Sequence, residues 1–187
     1  MPPAMKFVAV VLSICAFAEN YDAKNAANRP ELQGYQDFER AFQYPTMYYG
    51  CWKNYEQETG DKCFVEKQLA PVENGRVKFN NAHMTKDGKV NANYNVTYLL
   101  RSGRGYNISN IQDYPLNGTY IPFRALYAQY GNCIILNPVT VNRNACVMIV
   151  TVLFNVDLCC VEMYDYLCGP KKIPLYQHDC AQVYGSV

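Results

Sequence analysis

The chain has 187 residues, a formal net charge of +1 and 50% hydrophobic residues. That length suits one domain with a sizeable core, and a near-zero charge without a basic run excludes nucleic acid and acidic membranes as natural partners. Its 17 tyrosines combine apolar area with a terminal hydroxyl, which suits strands and also walls that bind a partly polar ligand.

At the N-terminus, Lys6 precedes the apolar run Phe7 to Ala16, and Ala16-Phe17-Ala18 fits a small-x-small cleavage site. Residues 1–18 therefore read as a signal peptide and 19–187 as the secreted domain. The run falls short of the ~20 residues that a membrane span needs. Cleavage removes Cys15 and leaves an even set: Cys51, Cys63, Cys133, Cys146, Cys159, Cys160, Cys168 and Cys180. In an oxidising compartment such a set reads as a disulfide framework. Zinc is the rival use. No Cys-x-x-Cys pair with histidine partners supports it, so no metal is expected.

After a polar arm from Glu19 to Arg29, Pro30 opens an expected amphipathic helix. Leu32, Tyr35, Phe38 and Phe42 form its apolar stripe, and it ends before Pro45. From Tyr44 the period changes to two. Strands are expected near 46–56, 62–72, 76–84, 89–101, 105–112, 119–129, 133–141 and 145–154. The clearest runs from Val90 to Arg101, where Val90, Ala92, Tyr94, Val96 and Tyr98 alternate with polar residues. Asn95 opens a glycosylation sequon on the polar face of that strand, and Asn107 and Asn117 open two more. Asn74-Gly75 and Asp87-Gly88 signal tight hairpins, while Gly103 to Gly105, Asn117-Gly118 and Gly131-Asn132 mark looser turns. Successive hairpins make a meander, and closing it into a barrel removes its edges; an open sandwich is the alternative. Asp157 caps a second helix through about Leu167 with Gly169-Pro170 as its stop, and the aperiodic tail from Lys171 is pinned by Cys180.

No catalytic constellation is visible, so the protein is not expected to be an enzyme. His83 and His178 read as surface residues with no nucleophile motif near either, and the disulfides claim the thiols. A closed barrel of about eight strands leaves room for one small ligand, which makes binding the default reading.

The order Cys133, Cys146-Val147-Met148-Ile149, Cys159-Cys160, Tyr164-Asp165, Cys168-Gly169-Pro170 and Cys180 resembles the tick salivary lipocalins, the tick histamine-binding family. Gly50-Cys51-Trp52 is similar to the general lipocalin Gly-x-Trp. The resemblance implies an all-β, eight-stranded antiparallel lipocalin barrel with short helices near the N- and C-terminal ends. It implies a monomer, secreted in saliva, that sequesters a small host mediator such as histamine, serotonin, a leukotriene or thromboxane, without any cofactor. A host plasma protein such as a complement component, blocked through the barrel loops, is the alternative partner. By the same resemblance Cys63 pairs with Cys180 and Cys133 with Cys160. Cys51, Cys146, Cys159 and Cys168 then form two further bridges whose pairing stays open.

Amine-binding relatives carry acid, acid and aromatic where this chain has Ile134, Val147 and Ile149. An ammonium buried without a carboxylate costs several kcal/mol, on the order of the desolvation penalty per ion. The expectation is therefore a lipid mediator in preference to an amine, unless Glu66, Asp113 or another acid substitutes. Arg124 is the candidate partner for a lipid carboxylate. Phe42 and Tyr49 resemble aromatic pocket positions of lipid-binding relatives, and strand parity adds Tyr94, Val96, Tyr98, Val147 and Ile149 as ligand-binding candidates.

Overall fold

A computed structural model describes residues 30–57 and 60–187. The signal peptide expected at 1–18 and the polar arm at 19–29 lie outside the described residues. The strands are β1 (Met47–Lys53), β2 (Lys62–Gln68), β3 (Arg76–Met84), β4 (Val90–Arg101), β5 (Ile111–Leu116), β6 (Thr119–Gln129), β7 (Cys133–Pro138), β8 (Val147–Val150) and β9 (Ile173–Pro174). Each of the first eight is antiparallel to the next, and β1 pairs with both β2 and β8. The sheet is thus the expected closed eight-stranded barrel, and closure leaves few backbone groups without a neighbour.

Tight turns build the meander. At Asn74-Gly75 both residues have positive φ, 50° and 67°, the geometry that a two-residue hairpin requires. Asn117-Gly118 adopts the same geometry (49° and 79°) between the paired Leu116 and Thr119, a tighter turn than expected. Asp87-Gly88 makes a longer loop instead. Only Gly88 has positive φ there, and Thr85 N–H donates to the Lys89 carbonyl across it at 2.9 Å. The fifth strand is displaced from the expected 105–112 to Ile111–Leu116, because Gly103, Gly105 and Asn107 lie in the turn that precedes it.

The N-terminal helix is shorter and broken. Residues Pro30–Tyr35 form a 3-10 turn, and α1 (Phe38–Ala41) restarts after Asp37. The Asp37 carboxylate accepts from the Glu39 amide at 3.0 Å, and this local cap competes with a continuous helix. Phe38 and Phe42 enter one end of the barrel and are almost fully buried. Phe42 packs against Phe38, Tyr48 and Phe79 with ring centroids 5.3–5.6 Å apart. Gln68 Nε2 donates to the Phe42 carbonyl at 2.7 Å, and Tyr48 Oη donates to Ala41 O at 2.9 Å. This end is closed.

On the outside, α2 (Leu158–Cys168) starts at its Asp157 cap, whose carboxylate accepts from Cys159 N–H at 2.9 Å, and stops at Gly169 with φ 78°. Cys160, Met163, Tyr164 and Leu167 form its buried stripe, packed on Leu126, Ile135, Met148 and Val150 of the barrel's outer face. Cys133–Cys160 staples its first turn to β7 and Cys146–Cys168 its last turn to the strand start at the opposite end of the barrel.

The tail is more than a strap. Beyond Tyr49, β1 leaves β2, and β9 occupies the gap by pairing with Trp52 and Lys53. Leu175 then bridges the two strands, donating to Cys51 O at 2.9 Å and accepting from Cys63 N at 2.7 Å. Cys63–Cys180 locks this wedge, and α3 (Ala181–Tyr184) packs Val183 on Val65, Ala82 and Met84. Both bridges that the resemblance implied are present.

Cys51 corrects the expected framework: it is a buried free thiol. Its neighbours Cys146 and Cys160 on the facing elements are already bonded to Cys168 and Cys133. Cys159 is disulfide-bonded as well, but not to Cys51. Burial pushes the Cys51 thiol up to about 12, so it behaves as a small core residue rather than a nucleophile.

Candidate ligand-binding site

Strand alternation divides the interior into two zones. Toward the closed end, Val77, Phe79, Val96, Leu100, Ala125, Ala128 and Ile134 form a dry core around Phe42. Toward the other end lies a cavity of about 430 Å³, within the ~300–1,000 Å³ typical of small-molecule sites. One side of it is apolar, with Ile121, Phe123, Leu136, Val147 and Ile149. The other carries the chemistry, on β2, β3, β4 and β5.

Glu66 is the centre of that side. On β2, Phe64, Glu66 and Gln68 point inward while Val65 packs outward under the tail. The Tyr98 hydroxyl donates a short hydrogen bond to the Glu66 carboxylate, and Asn81 Nδ2 lies 3.3 Å from the same oxygen and 2.7 Å from Tyr98 Oη. Desolvation raises the Glu66 carboxyl above its ordinary range despite these bonds. Burial, with Glu66 beside them, likewise raises the Tyr48 and Tyr98 hydroxyls. Both stay neutral at physiological pH. Two more acceptors, Asn81 Oδ1 and Gln112 Oε1, are buried without a hydrogen-bond partner. These two acceptors lack donors beside a carboxylate whose Oε1 already accepts from Tyr98 and Asn81.

Around them sit aromatic faces. His83 stacks on Phe64 with centroids 5.5 Å apart, and its Nδ1 lies 3.0 Å from Tyr94 Oη. Tyr94 and Tyr114 face each other where β4 and β5 have separated, since the pairing of those strands ends at Leu99 and Asp113. Gly50 lines the wall because a Cβ there would come within 3.1 Å of Phe64 Cβ and 3.2 Å of Leu175 Cδ1.

Toward the mouth, Lys53, Tyr55, Gln57 and Asp61 complete the lining. Lys53 faces inward because of a β-bulge: the register of β1 on β8 shifts between Gly50 and Trp52. The extra residue reverses the parity, so Trp52 turns out against Tyr164 at 5.8 Å and Lys53 turns in. Lys53 is largely buried, and its ammonium donates to Gln57 Oε1 at 3.2 Å.

Of the candidate ligand residues, Tyr94, Tyr98, Val147 and Ile149 lie on the cavity wall. Four others do not. Arg124 alternates with the inward Phe123 and so faces away from the cavity. Tyr49 faces outward onto Tyr184, 5.0 Å between centroids. Phe42 is the plug of the closed end, and Val96 belongs to the dry core. Asp113 also faces outward, paired with Arg101 at 2.6 Å. His83, expected at the surface, lines the cavity. Parity on Phe64-Val65-Glu66-Lys67-Gln68 was a readable signal for Glu66. Lys53, Asn81 and Gln112 gave none. The sequon residues Asn95, Asn107 and Asn117 are all exposed.

A barrel plugged at one end by a helix and hollow toward the other defines a lipocalin-type ligand-binding protein. Apocrustacyanin C2 superposes with a TM-score of 0.54 at 13% identity, covering 81% of this chain and 86% of its own. Apocrustacyanin C1 gives 0.53 at 13% over 81% and 88%, and H1 crustacyanin from the lobster Homarus americanus 0.54 at 14% over 80% and 85%. At these identities the likeness is one of fold. A search of curated proteins finds no match. The tick histamine binding protein family matches residues 26–182, and the chain belongs to that family. Family and fold are those of ligand-binding proteins rather than enzymes. No helix among the described residues is long and apolar enough to cross a membrane.

Proposed function

We propose that this protein is a secreted scavenger that sequesters a small host amine in its barrel, with Glu66 as counter-charge. The observation that carries this reading is a buried carboxylate, Glu66, beside two acceptors without donors, Asn81 Oδ1 and Gln112 Oε1, in a tyrosine-rich cavity. A ligand ammonium supplies the missing donors and the opposite charge together, and the rings of Tyr94 and Tyr114 offer faces to its body. The acids absent at Ile134 and Val147 are thus replaced from a different strand. The lipid preference expected from that absence loses its anchor, because Arg124 faces away from the cavity. Deposition in saliva at the feeding site follows from the family and the expected signal peptide.

A lipid mediator is the second reading, supported by the apolar side of the wall at Leu136, Val147 and Ile149. Titration calorimetry with serotonin, histamine, leukotriene B4 and arachidonate separates the two. Amine binding that is lost in Glu66→Gln supports the first reading. Tight lipid binding that is indifferent to Glu66→Gln sinks it.

A further inference from the structure

Resting on the amine reading of the cavity, we infer that the mouth carries a second polar subsite built on Lys53. It takes an anionic or hydrogen-bond-accepting group at the end of the ligand remote from its ammonium. The ligand class is an elongated aromatic amine with such a group, rather than a short monofunctional amine.

Lys53 is only 5% exposed. Its ammonium has the Gln57 amide oxygen at 3.2 Å as its hydrogen-bond acceptor and the Tyr55 ring 5.7 Å below. An ammonium has three donors and one is spent on Gln57; among the described residues no carboxylate forms an ion pair with it, Glu56 and Asp61 acting only at longer range. Burial lowers its affinity for the proton, while Glu56 and Asp61 nearby raise it only in part. The side chain is there because a bulge turned it inward, and it lines the same cavity as Glu66.

The spacing sets the ligand length. Tyr48 is the β1 partner of Glu66, and Lys53 lies five residues farther along the same strand. At ~3.3 Å per residue, less the bulge, the two positions are roughly 13–16 Å apart. Allowing ~3 Å for each contact, the ligand spans roughly 7–10 Å from ammonium to acceptor. Fused-ring amines with a distal substituent reach that far, and a single imidazole ring on a two-carbon arm does not.

The test is calorimetry on the mature chain with tryptamine, serotonin and serotonin O-sulfate, which share one ammonium and differ at the far end. Affinity is expected to rise in that order, by roughly tenfold or more in total, as a charge-assisted bond forms to Lys53. Lys53→Met is expected to erase the gradient, bringing serotonin and serotonin O-sulfate to the affinity of tryptamine. A dicationic probe, 5-(aminomethyl)tryptamine, is expected to bind wild type more weakly than tryptamine, a readout that needs no variant. Equal affinities for all four probes, or a gradient that survives Lys53→Met, overturn the subsite and leave the amine reading standing. Failure of every probe to bind, or binding unaffected by Glu66→Gln, overturns both.

Discussion

The two ends of one barrel interior face the same helix-capped scaffold with opposite chemistry. At the closed end, Phe38, Phe42 and Phe79 pack ring against ring, and Gln68 spends its amide N–H groups on the Phe42 and Ala70 carbonyls while its Oε1 is left without a partner. A few residues farther on, in a cavity, Glu66 holds a buried carboxylate, and Asn81 and Gln112 keep acceptors without partners. Both zones arise from the same inward alternation. The difference is whether a side chain from outside the sheet, Phe42, fills the space. Stability and binding are thereby assigned to different residues of one continuous wall.

The largest effect is expected where the two zones share a support. Replacing Cys63 and Cys180 by serine opens a bridge spanning 117 residues and removes about 4–5 kcal/mol on the chain-entropy account. It also frees Leu175, so denaturant melts and calorimetry should show loss of both stability and affinity. Phe42→Ala breaks the closed zone alone. A loss of about 3–5 kcal/mol is expected from the cavity it leaves, measured by urea unfolding, with affinity in the folded fraction nearly unchanged.

Glu66→Gln breaks the other zone alone. Amine affinity should fall by roughly 10- to 100-fold, the range for a hydrogen bond to a charged group, while the melting temperature holds or rises because a buried charge has gone. The pH dependence sharpens the same point. The folded protein holds the Glu66 proton more tightly than the unfolded chain, so the empty protein is more stable below the ordinary carboxyl pKa. That stability declines as pH rises through the raised one. Amine affinity runs the opposite way, rising with pH through that window with release of a proton. Calorimetry in buffers of different ionisation enthalpy measures the release, and Glu66→Gln should abolish it. The smallest effect is reserved for Arg124→Ala, which should leave both amine and fatty-acid affinity unchanged; a marked loss of fatty-acid binding would restore the lipid reading.

Part of this is legible in the sequence. Alternation on Val90 to Arg101 placed Tyr94 and Tyr98 inside and Asn95 outside, because a strand without a bulge between those residues keeps its period. The family resemblance implied the Cys133–Cys160 staple of α2 but left the pairing of Cys146 and Cys168 open, and a closed meander followed from evenly spaced turns. Parity failed wherever a bulge intervened or a partner came from far along the chain. Tyr49 and Arg124 were placed from family likeness and a neighbouring apolar residue, neither of which determines a face.

The sequence by itself determined the succession of strands and several of their inward faces, since these depend on local period, while two of the disulfides came from the family resemblance rather than from spacing. Only the tertiary structure decided that Lys53 turns inward, that Leu175 completes the wall, and that Cys51 stays free. It also decided that Glu66, rather than Asp113, faces the cavity. Each of those outcomes depends on a register shift, a wedge or a competing ion pair between segments distant in the chain, and no local pattern carries that information.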